Sequence, residues 1–200
     1  MRRFVLGWKV LGHQQRLRAR IVNYADDFVI CCRGTADEAM LVMRDMMRRL
    51  KLTVNESKTR LCRLPDESFE FLGYRIGRCY SPRTGRAYLG TRPSPKKVQS
   101  LCREISELTS RRRTLLDADT IVGQINRKLW GWSNYFCLGP VSKAYAAVDA
   151  HVCHRLRQWL CGKHKVPGQG TSRFPDAYLY EELGLTDLRA KTRSFPWAKA

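Results

Sequence analysis

Asp26 and Asp27 stand side by side between two short apolar runs, residues 19–24 and 28–32. Burying an unpaired carboxylate is costly, so such a doublet is either exposed or neutralised. Divalent cations neutralise it well. In two-metal phosphoryl transfer, ions ~3.5–4 Å apart stabilise both the attacking and the leaving oxygens. Carboxylate oxygens suit Mg²⁺, which keeps water and substrate phosphates as its other ligands. Taken alone, the doublet reads more simply as an Asp-rich hairpin turn, a geometry that aspartate favours.

A second set of residues could bind rather than react. Arg111, Arg112 and Arg113 form one basic cluster, Arg127 and Lys128 a second, and His154, Arg155, Arg157, Lys163 and Lys165 crowd a third. Basic groups track phosphate, and exposed aromatic rings stack unpaired bases. Arginines near a helix C-terminus also simply complement the helix dipole. Trp132 and Trp159 fall on expected core faces and read as packing residues, whereas Trp130 lies on another face and is the stacking candidate. His151, Cys153, His154, Cys161 and His164 invite a zinc reading through the Cys161-x-x-His164 spacing. No second ligand pair lies nearby, so an RNA-facing basic helix is the preferred reading.

The elements that must position these groups fall into three zones. Residues 1–92 read as mixed helix and strand. The two apolar runs form a hairpin with the carboxylates at its turn. Thr35 to Glu38 matches a capping box, followed by Ala39, Met43, Met46 and Leu50 at helical spacing. Leu52 and Val54 begin an extended piece, residues 69–74 a strand, 81–85 a turn and 87–91 a further strand. Residues 93–166 read as three helices in a compact bundle. The first is opened by Ser94-Pro95, the second by Asp117 or Asp119, and the third by Ser142. Their buried faces are Val98/Leu101/Ile105/Leu108, Ile121/Ile125/Leu129/Trp132 and Tyr145/Val148/Val152/Leu156/Trp159. Residues 167–200 carry Pro/Gly punctuation, a short helix near 178–183 and a basic tail that packs on the bundle.

Tyr24-Ala25-Asp26-Asp27, Asn55-Glu56-Ser57-Lys58-Thr59 and Phe71-Leu72-Gly73-Tyr74, in this order and spacing, resemble successive blocks of reverse transcriptases. More narrowly, they resemble those encoded by group II introns. Ser94-Pro95-Lys96-Lys97 with its basic helix, and Gly131-Trp132-Ser133-Asn134-Tyr135-Phe136, look like the thumb or maturase region of the same proteins. The resemblance covers residues 20–200. It implies an α+β fold: an incomplete reverse-transcriptase palm of antiparallel strands plus a helix over 1–92, then an α-helical thumb/maturase bundle. It also implies roles by position. Asp26 is the Mg²⁺ ligand of the hairpin, Asp27 shapes the site, and Tyr24 lies against the primer terminus. Lys58 is a candidate to neutralise leaving pyrophosphate or else a solvated base at a strand end. Gly73 lets backbone approach the primer, or else marks a bulge. The implied partners are structured intron RNA, an RNA template and a DNA primer.

One departure counts heavily. The family's palm needs another aspartate on a strand upstream of the hairpin, and residues 1–25 contain neither Asp nor Glu. Met1 resembles a position inside the palm, so the fingers and first palm strands are expected to be missing. A separate N-terminal polypeptide would have to supply them, and two adjacent carboxylates hold two metals poorly. The chain by itself is therefore expected not to polymerise. The alternative is a maturase-type RNA-binding module that assists splicing without nucleotide chemistry.

Composition agrees with a nucleic-acid partner. The 200 residues suffice for one moderate domain or two small ones. Formal net charge is +19, and arginine supplies 26 of the 37 basic residues. Arginine's planar fork suits bidentate phosphate contact. No apolar run approaches the ~20 residues of a membrane helix. The eight cysteines are scattered, so a reducing compartment is expected, with bacterial cytoplasm the default and an organelle the alternative. The acid-free first 23 residues resemble a transit peptide, but the lack of serine and the interruptions at Gly7 and Lys9 favour no targeting role.

Overall fold

The computed structural model describes residues 1–81 and 83–192. The chain forms two compact units, Met1–Leu72 and the part from Gly73 onward, both built from helices and small antiparallel sheets.

The first unit contains α1 (Arg2–Val10), α2 (His13–Arg16), β1 (Ala19–Tyr24), β2 (Asp27–Cys32), α3 (Ala36–Arg49) and β3 (Phe69–Phe71). Residues 1–23, read from the sequence without a helix, place two helices before β1. Phe4 and Trp8 lie one turn apart on α1 and are fully buried. Trp8 Nε1 donates to Ala19 O at 2.8 Å, which ties α1 to the first residue of β1. Gly7 does not break α1. A Cβ there would lie 3.0 Å from Met46 Cε on α3, the mobile end of a side chain that can shift. β1 pairs antiparallel with β2 from Ala19↔Cys32 to Tyr24↔Asp27. Alternation along the strand sends Ala19 and Ile21 into the core while Arg20 and Val22 face out. On α3, Ala39, Met43, Met46 and Met47 close that core.

Two local expectations fail here. The capping box does not form, because Thr35 Oγ1 donates to Leu17 O and Glu38 pairs with Arg16 instead. Residues 52–68 contain no strand. At their centre Asn55 O accepts the N–H groups of Lys58 and Thr59 at 3.1 and 3.0 Å, so a local turn replaces extended backbone.

The second unit opens with β4 (Tyr74–Tyr80) and β5 (Ala87–Pro93), an antiparallel pair running from Tyr74↔Pro93 to Tyr80↔Ala87. The continuous strand expected over 69–74 is interrupted, because Leu72 and Gly73 both have left-handed backbone (φ +52° and +78°). Of the turn expected at 81–85, Pro82 lies outside the described residues. Three long helices follow: α4 (Pro95–Leu108), α5 (Ala118–Tyr135) and α6 (Ser142–His164). Ile105, Ile121, Ile125, Leu129, Tyr145 and Leu156 are completely buried between them, on the faces that helical periodicity marks. Ser94 caps α4 by backbone conformation only, since its buried Oγ has no partner. Phe174, Leu179 in the π-helical turn Tyr178–Glu182, Leu185, and Leu188 on α7 (Leu188–Lys191) extend the same core. The end of the expected basic tail, residues 193–200, lies outside the described residues.

Candidate active-site hairpin and nucleic-acid interface

The β1–β2 register makes the carboxylate turn tighter than the sequence suggests. Only Ala25 and Asp26 form it, and Asp27 is already paired in β2 opposite Tyr24. Ala25 has φ +49°, a conformation that tight hairpins demand and that an alanine side chain resists. Strain of this kind is an observed feature of the turn that carries Asp26. Tyr24, Asp26 and Asp27 are all exposed. Two adjacent carboxylates presented to solvent supply oxygen donors of the type Mg²⁺ prefers. Among the described residues, however, no three His, Cys, Asp or Glu side chains converge on a point that would hold a metal ion. The residues therefore do not amount to a complete two-metal centre.

Lys58 is exposed at the end of the Asn55 turn, where Ser57 Oγ donates to Asn55 Oδ1 at 2.7 Å. Glu56 in the same turn pairs with Arg44 on α3 at 2.6 Å. The turn is thus anchored to α3 while the Lys58 ammonium stays solvated. Gly73 belongs to the second unit and is constrained twice. Its φ is +78°, and a Cβ there would lie 3.1 Å from Phe136 Cζ and 3.2 Å from Lys97 Cγ. Its carbonyl accepts Ser94 N–H at 2.9 Å.

The run Gly131 to Phe136 ends α5 and is largely structural. Tyr74 O–H donates to Tyr135 O, which fastens β4 to α5. The buried Tyr145 O–H lies 3.0 Å from both Ser133 O and Phe136 O. Trp132 packs against Phe136 and Tyr145, with ring centroids 4.9 and 5.8 Å apart. Trp159 is buried as well, whereas Trp130 is half exposed.

The basic candidates separate by what holds them. Arg111, Arg112 and Arg113 do not close α4, which ends at Leu108; they form their own 3₁₀ turn. Arg111 and Arg112 are exposed, and Arg113 Nη1 donates to Gln124 Oε1 at 3.0 Å. Arg127 is exposed, while Lys128 pairs with Glu104 on α4 at 2.6 Å. Arg155 Nε donates to Thr109 Oγ1 at 3.2 Å, and its Nη2 reaches the carbonyls of Ser106 and Thr109. Lys163 Nζ donates to Leu116 O at 2.8 Å and Thr114 O at 3.2 Å, and sits over the Trp159 ring. Arg157 binds Phe174 O and Asp176. The structure therefore gathers Arg111, Arg155 and Lys163 around the end of α4, and leaves Arg127, Lys128 and Trp130 on α5.

The zinc-like cluster is dispersed into packing contacts. His151 Nε2 lies 2.9 Å from Cys102 O and 3.0 Å from Ser106 Oγ, and burial holds its pKa below the ordinary imidazole value. Cys153 Sγ contacts the Tyr180 hydroxyl at 3.1 Å. All eight cysteines are free thiols. Sequence reasoning passed over Asp149, which is 2% exposed on α6 and accepts the N–H groups of Leu188 and Arg189 at 3.2 and 3.1 Å. Burial raises its pKa to about 6. Its signal in the sequence was an acid next to core Val148 on an apolar helix face.

A family profile for reverse transcriptase (RNA-dependent DNA polymerase) matches residues 4–76. A second, for the group II intron maturase-specific domain, matches residues 98–174. No curated protein matches the sequence. The first match takes in most of α1 as well as the Tyr24–Asp27 hairpin, so residues 4–23 fall within it. The second takes in most of α4 and all of α5 and α6. With both regions present in this order, the chain belongs to the group II intron-encoded reverse transcriptase/maturase family.

Proposed function

We propose that the chain binds structured intron RNA through its helical unit, assisting splicing, and contributes one part of a centre for RNA-directed DNA synthesis. The Tyr24-Ala25-Asp26-Asp27 hairpin supplies Asp26 as Mg²⁺ ligand with Asp27 beside it; Tyr24 meets the primer end and Lys58 the leaving pyrophosphate. The observation that carries this reading is the exposed doublet on a strained two-residue turn within the reverse-transcriptase match. A further carboxylate upstream of the hairpin, and the surfaces that hold template and incoming nucleotide, are not among these 200 residues.

Primer extension on an RNA template with Mg²⁺ tests this. The chain alone should be inactive. Adding a separately made fragment with fingers and the upstream palm aspartate should restore synthesis, and Asp26→Ala should abolish it. The second reading, a maturase-type binding module without nucleotide chemistry, is favoured by the basic residues of the helical unit. Inactivity in both arms, with RNA binding intact, would select it.

A further inference from the structure

A cleft of about 720 Å³ opens in the second unit between the 3₁₀ turn after α4 and the last turns of α6. Its walls include Arg111, Thr114, Arg155, Gln158, Trp159 and Gly162, and no carboxylate. Elsewhere many of the basic groups are compensated: Lys128 by Glu104, Arg157 by Asp176, Arg189 by Asp149, Arg44 by Glu56. Here they are not. Among the described residues Arg155 is held by neutral acceptors, namely Thr109 Oγ1, the carbonyls of Ser106 and Thr109, and Gln158 Oε1 at 2.9 Å. Those four acceptors leave one of its five N–H donors unused. The neighbouring Lys163 likewise meets only carbonyls and the Trp159 ring. Half-buried cations without counter-charge are costly, and their side chains are already fixed in place. Arg155, held in place, and the exposed Arg111 give the cleft two cations for an anion, with Lys163 nearby.

The shape narrows the anion. Duplex RNA presents a broad convex backbone, whereas this recess is concave, of nucleotide-accommodating size, and partly floored by Trp159, with no side chain at Gly162 or Gly168. We propose that the cleft takes one unpaired nucleotide of a bound RNA, its phosphate on Arg111 and Arg155 and its base in the recess beside Gln158. The proposal rests on the RNA-binding reading above.

Gly162 offers a selective test. A Cβ there meets only Thr114 Cγ2, at 3.6 Å, an ordinary contact. Leucine also favours a helix more than glycine does. Gly162→Leu therefore adds apolar bulk at the cleft wall from a position where its Cβ has room. The full chain is titrated with two RNA hairpins of identical stem, one fully paired and one with a single bulged nucleotide. Wild type should prefer the bulged hairpin by roughly tenfold or more. Gly162→Leu should bring the preference close to unity while leaving affinity for the paired hairpin unchanged, and Arg111→Ala should weaken the bulged complex more than the paired one. Equal wild-type affinity for the two RNAs overturns the cleft assignment and leaves RNA binding standing. So does a bulge preference that survives both substitutions. Binding of neither RNA overturns both readings.

Discussion

Single residues in this protein are constrained by backbone and burial in ways their chemical type hides. Gly73 combines φ +78° with a Cβ position crowded by Phe136 and Lys97, 3.1–3.3 Å away. Gly73→Ala should therefore cost about 1–3 kcal/mol in denaturant unfolding of the whole chain. A neutral result would show that Phe136 and Lys97 yield freely. Asp149 carries a pH signature. Burial raises its pKa to about 6, although the Leu188 and Arg189 N–H groups favour its charged form. An unfolded carboxyl titrates near ~3.9. Between about pH 4 and 6 the folded state thus keeps a proton that the unfolded state has released, so stability falls as pH rises through that window and levels off above it. Asp149→Asn removes the titration. Relative to wild type, the variant should gain stability from pH 4 to 6, by up to about 3 kcal/mol. A gap that narrowed instead would assign the dominant effect to the Arg189 ion pair.

Among the elements, α1 decides whether the first unit has a core. The β1–β2 hairpin alone is two strands, which are marginal in water. Trp8 and Phe4 give it a helix to pack on. Trp8→Ala should cost about 3–5 kcal/mol and expose residues 1–72 to proteolysis, while peptides from α4 to α6 remain protected. Mapping the cleavage sites by mass spectrometry would check this, and uniform protection would sink it. By contrast the α4–α5 ion pair Glu104–Lys128 is half exposed. Lys128→Ala should change stability by less than about 1 kcal/mol.

For the whole molecule, charge should govern affinity. A net +19 implies that log affinity for RNA falls steeply with log salt. Replacing Arg111, Arg112 and Arg113 together by alanine should flatten the slope by about 0.7 for each phosphate that these arginines neutralise. An unaltered slope would remove the 3₁₀ turn from the interface. No helix among the described residues is long and apolar enough to cross a membrane.

Much of this was legible in the residues themselves. Helical periodicity marked the buried faces of α4, α5 and α6, because amphipathic spacing is a local property of the chain. The Asp26-Asp27 doublet, its flanking strands and the Asn55–Thr59 block were readable for the same reason. They are contiguous in sequence, and their order resembles that of successive reverse-transcriptase blocks. What long-range packing decides was not legible. Residues 1–23 were read without a helix, yet Phe4 and Trp8 on α1 are fully buried. Arg155 and Lys163 read as phosphate binders, yet both are fastened to the segment between Ser106 and Leu116 by acceptors 46–49 residues away in sequence. Burial and counter-charge depend on which distant segments meet. The sequence by itself therefore determined the family, the helices and the doublet. Only the tertiary structure decided that Asp26 sits on a strained two-residue turn, and that Arg111 and Arg155 line a cleft with no acid among its described residues.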